Sequence, residues 1–226
     1  MKKIGILLSG CGVYDGSEIQ ETVLAMLAIQ EAGAEYFCIS IDKNQHHVIN
    51  HLDGTEMAET RNMMIESARI ARGNVKNINE VEIRDFDALV IPGGFGNAKN
   101  LSSWAFDGPR GTILPEVKLL IVNCINAGRP IAALCVSPIL IAKALENADL
   151  NVELTLGNSA DPSPYNINDF HTGLQATGAK TFEKDVHGIQ TDEKLKIVSA
   201  PCYMMEANIL EIRNNIKQAI EALMLL

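Results

Sequence analysis

Pro130-Ile131-Ala132-Ala133-Leu134-Cys135-Val136-Ser137-Pro138 is the stretch that decides how this chain is read. The run from Pro130 to Leu134 is apolar without interruption, the mark of a strand buried on both faces of a parallel sheet. Ser137 at the N-cap and Pro138 at the first helical position open a helix that runs to about Glu146. Cys135 falls on the short turn between them. A thiol there feels the positive end of the helix dipole, which favours thiolate and makes Cys135 a candidate nucleophile. The competing reading is a free cysteine that packs as a small hydrophobe.

Working outward, the same pattern repeats. Ile4 to Leu8 reads as a first buried strand, followed by a turn containing Gly10, Gly12 and Gly16. Ser17 with Gln20 predicts a capping box for the next helix, with Ile19, Val23, Leu24, Leu27 and Ala28 as its apolar stripe and Gly33 as its stop. Glu35 to Ile41 reads as a second strand, His46 to Asn50 as a weaker extended piece, and Glu56 to Arg72 as a helix. Ala88 to Pro92 is a buried strand closed by Gly93-Gly94-Phe95-Gly96, and Leu114 to Ala127 is a helix stopped by Gly128. Gly157 to Asp169, rich in Pro, Asn, Asp and Ser, reads as a long loop. Thr181–Phe182, Gly188–Gln190 and Lys196 to Ala200 read as strands, and Glu206 to Leu226 as a closing helix. Strands alternating with helices predict an α/β fold with a doubly wound, mostly parallel sheet. No boundary or repeat divides the chain, so residues 1–226 are expected to form a single domain.

Composition narrows the function classes. The 226 residues carry 19 basic and 28 acidic side chains, a net charge of −9, which argues against nucleic acid or an anionic membrane as partner. No apolar segment approaches the ~20 residues needed to span a bilayer, and the stretch before Cys11 is too short for an export signal. Five cysteines without a CxxC pair predict reduced thiols and a cytoplasmic protein. The closing helix, with Ile209, Ile212, Ile216, Ile220 and Leu223, would pack inside the domain or against a second subunit.

In open parallel sheets, ligands bind at the carboxyl ends of the strands. Three such ends stand out: Gly10 to Gly16, Pro92 to Gly96, and Cys135. The first resembles a dinucleotide fingerprint, with Asp42 ending the second strand, but its spacing is GxGxxxG rather than GxGxxG. No Gly-Lys-Ser/Thr follows Gly96, which excludes a phosphate-binding P-loop. His46, His47 and His51 lie on an extended segment, where residues four apart are distant, so solvated side chains are favoured over a metal site.

Pro92-Gly93-Gly94-Phe95-Gly96 and Ala133-Leu134-Cys135-Val136-Ser137-Pro138 resemble the ThiJ/PfpI branch of the class I glutamine amidotransferase-like superfamily, a flavodoxin-like sandwich. Gly10 to Glu18 and Asn97-Ala98-Lys99-Asn100-Leu101 resemble, more narrowly, its ElbB/ES1 family. The likeness covers nearly the whole chain outside residues 158–172. It implies Cys135 as nucleophile, Glu21 on the first helix as its carboxylic partner, and the backbone N–H groups of Gly94 and Val136 as oxyanion donors. Pocket residues are expected at the strand ends, at Cys11, Gly12, Gly93, Lys99 and Asn100, with His171 as the candidate distant histidine. From the residues alone, Glu18 and Glu21 equally suit two acids complementing a helix N-terminus.

Two departures bear on the chemistry. Ser199 to Glu206, where classical amidotransferases carry a triad histidine, has none, and Val136 stands where PfpI-type proteases place histidine. Amide hydrolysis needs a general acid for its poor leaving group, which counts against amidase and peptidase activity. The resemblance implies instead a glyoxalase that needs no cofactor or metal, acts on glyoxal or methylglyoxal, and forms a homodimer. The alternative is a thiol-based redox or metabolite sensor linked to isoprenoid metabolism.

Overall fold

Seven strands hydrogen-bond in the order β3-β2-β1-β4-β5-β9-β8 in the computed structural model, which describes residues 1–148 and 150–226. The elements follow in chain order as β1 (Lys3–Leu7), α1 (Ile19–Glu31), β2 (Glu35–Ser40), α2 (Met63–Ile70), β3 (Val75–Asn77) and β4 (Ala88–Ile91). Next come α3 (Gly96–Lys99), α4 (Trp104–Asp107), α5 (Pro115–Asn126), β5 (Ile131–Leu134) and α6 (Pro138–Leu145). The chain closes with β6 (Glu153–Leu154), α7 (Ile167–Ala176), β7 (Lys180–Thr181), β8 (Gln190–Asp192), β9 (Ile197–Ala200) and α8 (Ile209–Leu225). Every pairing in the main sheet is parallel except β8 with β9, and β6 pairs with β7 in a separate two-stranded ladder. This is the doubly wound α/β fold expected from the sequence.

The centre of the sheet is dry. Every residue of β4, β5 and β9 is buried, which is why these strands read as unbroken apolar runs. Strand order reverses at β1, with β2 on one side and β4 on the other, so α1 leaves β1 beside a topological switch point. The parallel strands bring the ends of β1, β4, β5 and β9 to one edge of the sheet.

Tertiary packing altered several sequence expectations. The first helix is not capped by Ser17 with Gln20. Glu18 is its N-cap, accepting from the Glu21 N–H at 2.6 Å, while the Ser17 hydroxyl accepts from the Ser9 N–H. Its buried face is also different. Glu21, Thr22, Ala25, Met26, Ala28 and Ile29 are inside, and Ile19, Val23 and Leu27 are each more than 40% exposed. Helix α1 packs against α8.

The helix expected over Glu56 to Arg72 begins only at Met63. Asn62 accepts from the Ile65 N–H, and the preceding residues form turns and isolated bridges, Ile49 with Glu56 and Asn44 with Asn62. The loop expected from Gly157 to Asp169 ends three residues early, at the start of α7. The strand placed at Gly188–Gln190 runs from Gln190 to Asp192, and β3 and β6 are too short for periodicity to reveal. Helix α8 starts at Ile209 behind an Asn208–Glu211 capping box. Ile212, Ile216, Ile220 and Leu223 are fully buried, so its apolar stripe packs inside this chain.

The later start of α2 is testable. Asn62→Ala should lower the unfolding free energy by about 1 kcal/mol, the usual cost of a lost N-cap, whereas Thr60→Ala should cost less than about 0.5 kcal/mol. Denaturant titration of the two variants measures this.

Candidate active site

Cys135 occupies the turn between β5 and α6 with φ at +57°, a left-handed backbone that a non-glycine residue adopts at a cost. Its N–H donates to the Ala200 carbonyl at 2.9 Å, tying the turn to the end of β9. Ser137 holds the other side. Its hydroxyl does not cap α6 but donates to the Pro92 carbonyl at 2.6 Å and accepts from Asn97 Nδ2 at 2.8 Å. The elbow is therefore fastened to both neighbouring strand ends.

Glu21, from α1, reaches into this junction with no exposure to solvent. Its Oε2 accepts from the Gly93 N–H at 2.9 Å and its Oε1 from the Tyr203 N–H at 3.1 Å. Its carboxyl group also hydrogen-bonds the Cys135 thiol. Glycine at 93 is required by this approach. A Cβ there would lie 2.8 Å from the Cys135 sulfur and closer still to Glu21 Oε2. Gly94, with φ at +101°, lets the β4 turn press on the Gly16–Glu18 backbone, where the Glu18 N–H donates to the Gly93 carbonyl at 2.9 Å.

Burial controls the protonation of this pair. It pushes the Glu21 carboxyl up to about 8, aided by the charge of Glu18 and opposed by the hydrogen bonds from Tyr203, Gly93 and Cys135. Burial also raises the Cys135 thiol well above its ordinary value, together with the charges of Glu21 and Cys202. The N–H groups of Gly94 and Val136 both hydrogen-bond the Cys135 sulfur and pull the other way. The helix-dipole expectation of a ready thiolate is thus corrected, because desolvation beside an acid outweighs two N–H donors. At neutral pH the resting pair holds both protons, and the first to leave belongs to the two groups jointly.

The two acids at the helix start have different roles. Glu18 caps α1, as the bland reading of both residues required, whereas Glu21 turns inward. Cys202, fully buried, lies close enough to receive a hydrogen bond from the Cys135 N–H. An open cleft of ≈ 530 Å³ is bordered by Val13, Tyr14, Glu18, Tyr165, Tyr203 and Met205. The Tyr165 hydroxyl, raised to about 12 mainly by burial, also feels charge on Cys135 and Glu21.

Other expected site residues lie elsewhere. Asn100 fastens the glycine turn, donating to the Ser9 and Asp15 carbonyls at 2.9 and 2.8 Å. Gly12 approaches the His51 ring, and Cys11 has Glu66, Arg69, Asp15 and Arg61 as its charged neighbours. Lys99 donates to the Tyr14 carbonyl. His171 is buried on α7 with Nδ1 3.5 Å from Glu183 and does not join the thiol. Among the described residues, no histidine is a partner of Cys135 or Glu21.

The family described as DJ-1/PfpI matches residues 11–147, a span that includes Glu21, Gly93 and Cys135. The chain belongs to the DJ-1/PfpI family. Within it, the chain is 37% identical over 218 residues to the ES1 protein homolog, mitochondrial, of Rattus norvegicus, covering 95% of this chain and 80% of that protein. It is equally 37% identical to the human glutamine amidotransferase-like class 1 domain-containing protein 3, mitochondrial, covering 95% of this chain and 79% of that one. A crystal structure of an isoprenoid biosynthesis protein with amidotransferase-like domain from Ehrlichia chaffeensis superposes with a TM-score of 0.89 at 32% identity, over 99% of this chain and 98% of that one. The ElbB/ES1 resemblance read from the sequence is thereby supported. The cytoplasmic location is corrected by the mitochondrial relatives. Unpaired thiols report a reducing environment, and that property does not distinguish one reducing compartment from another.

Two outcomes follow from this geometry. Gly93→Ala should destabilise the protein by about 1–3 kcal/mol, because its Cβ collides with two buried groups, read as a lower midpoint in denaturant. Glu21 holds its proton in the folded state up to about 8 but releases it near 4.5 when exposed. Its contribution is fully present below the lower value and is lost as pH rises through the upper one. Wild type should therefore lose stability relative to Glu21→Gln between about pH 5 and pH 8, with a flat difference below pH 4. A flat difference throughout would exclude the raised carboxyl.

Proposed function

We propose that this protein is a cofactor-independent glyoxalase that converts glyoxal, and methylglyoxal, to a 2-hydroxy acid through a Cys135 hemithioacetal, with Glu21 as acid and base. The observation that carries this reading is a solvent-free carboxyl group bonded to the thiol and held by two backbone donors, with no histidine beside it. The family includes enzymes such as glyoxalases and proteases. A peptidase must protonate an amine leaving group, and these residues supply no imidazole for it. Isomerising a small dicarbonyl needs only a nucleophile, an anion site and one proton carrier.

The steps balance with these groups alone. Glu21, ionised, takes the thiol proton as the sulfur adds to one carbonyl carbon. The Gly94 and Val136 N–H groups, which bond the sulfur at rest, would receive the new oxyanion. Glu21 returns the proton to that oxygen, giving the hemithioacetal. The carboxylate then removes the hydrogen on the thiol-bearing carbon, and an enediol forms. Delivering that proton to the neighbouring carbon, as the hydroxyl proton on the thiol-bearing carbon passes to the neighbouring oxygen, leaves a thioester of the 2-hydroxy acid. Water cleaves it, releasing glycolate or lactate and restoring the thiol. A sensor would rely on a low-pKa thiol, whereas burial beside Glu21 raises this one.

Incubating purified protein with glyoxal and methylglyoxal, without glutathione, tests the proposal. Many product molecules per protein are expected from wild type, none from Cys135→Ala, and a rate about 10²–10⁴-fold lower from Glu21→Gln. A single labelling of Cys135 without product would replace the enzyme reading with the sensor. Because the base must be ionised, kcat/KM should rise with pH through about 8 in wild type. A profile flat across that range would remove Glu21 from the proton transfers.

A further inference from the structure

A second cavity, of ≈ 590 Å³, shares Tyr14 with the ≈ 530 Å³ cleft, and neither of the two is lined by Cys135 or Glu21. Its walls include Tyr14, Phe95, Trp104, Pro109 and Phe170, with Lys99 reaching in from α3. The volume and aromatic lining suit a ligand several times larger than glyoxal. Gly173, in the middle of α7, helps shape it. A Cβ there would lie 2.9 Å from Trp104 Cζ2, so a residue that weakens the helix lets the indole lie against it as a wall.

Lys99 is the polar group of this cavity. It is half-buried, and its Nζ donates to the Tyr14 carbonyl at 2.8 Å, leaving two of its three N–H groups available. No ion pair among the described residues includes it. Burial lowers its pKa, as expected for an ammonium short of solvation, and outweighs the charges of Asp15 and Glu56, which act the other way without pairing with it. Asp169, at the rim, is exposed and accepts from the Asn166 amide at 2.7 Å. The cavity is therefore apolar with one under-solvated cation inside and one solvated anion at its edge.

We propose that this cavity is a separate binding site for a small apolar anion, whose body lies between Trp104, Phe95, Pro109 and Phe170 and whose anionic head takes the Lys99 ammonium. The head sits on Lys99 and away from Asp169, because only the former has unsatisfied donors. The occupant touches Phe95, next to the Gly94 turn, and Tyr14, which also borders the neighbouring cleft.

Trp104 is the single tryptophan, which gives the test its readout. Energy transfer from Trp104 to 8-anilinonaphthalene-1-sulfonate, an aromatic anion, is followed beside the uncharged N-phenyl-1-naphthylamine. We expect saturable one-to-one binding of the anion, weakened about tenfold by Lys99→Met, the loss of one charge-assisted contact. The uncharged probe should change less than about twofold, a difference too small for the loss of a charged contact. Lys99→Gln, which can keep the bond to the Tyr14 carbonyl, should behave as Lys99→Met does. Ala105→Leu, from an exposed position on the cavity wall, should weaken both probes, and Cys135→Ala neither. Absence of saturable transfer overturns the site. Equal loss of both probes in both Lys99 variants overturns the anion preference, and loss in Cys135→Ala overturns the site by assigning binding to the thiol itself.

Discussion

One water-free carboxyl group organises this molecule's functional edge. Glu21 comes from the helix after β1, its two N–H donors come from the ends of β4 and β9, and its thiol partner comes from the end of β5. One helix and three strand ends thus meet at a single carboxyl group. A buried carboxylate with fewer partners would carry several kcal/mol of unrecovered desolvation. Keeping the proton until about pH 8 lowers that cost, and the two N–H bonds hold the group in place. The same arrangement that makes Glu21 tolerable inside the protein gives it a pKa close to that of a useful acid and base.

The backbone around it is shaped for close approach. Cys135 takes a left-handed conformation so that its side chain meets Glu21 at the top of β5, and Gly93 omits the Cβ that would stand between them. Local strain at the elbow is held by long-range bonds, from Cys135 to Ala200 and from Ser137 to Pro92. The glycine turn before α1 is fixed in the same manner, through the Gly96 N–H on the Gly16 carbonyl and Asn100 on the Ser9 and Asp15 carbonyls. Asn100 serves the site by positioning a loop rather than by lining the pocket.

Charge in this region is arranged by burial more than by pairing. Charge on Glu21 raises the proton affinity of both Cys135 and Cys202, and Cys202 raises that of Cys135, whereas the hydrogen bond from Cys135 lowers that of Glu21. The Gly94 and Val136 N–H groups oppose this at Cys135. Lys99 stands in a second apolar volume with the opposite sign. The two cavities meet at Tyr14, whose carbonyl holds Lys99 and whose side chain borders both.

The sequence by itself determined the sheet class, the elbow cysteine and the glycine-rich strand ends. Unbroken apolar runs such as Ile131 to Leu134 have one physical solution, and Ser137-Pro138 begins a helix whatever surrounds it. It also singled out Glu21, though only through resemblance, because Glu18 and Glu21 are equivalent as acids near a helix start. Only the tertiary structure separated them, since burial depends on what packs over a side chain. It changed the face of α1 for the same reason: Ala25, Met26 and Ile29 are buried beside Ala28, while Ile19, Val23 and Leu27 stay exposed. The Tyr203 N–H on Glu21 had no signal in the sequence, because any residue type can supply a backbone donor. His171 looked like a loop residue until α7 formed around it. Local order follows from the chain's own pattern, whereas a proton's affinity follows from which strands end together.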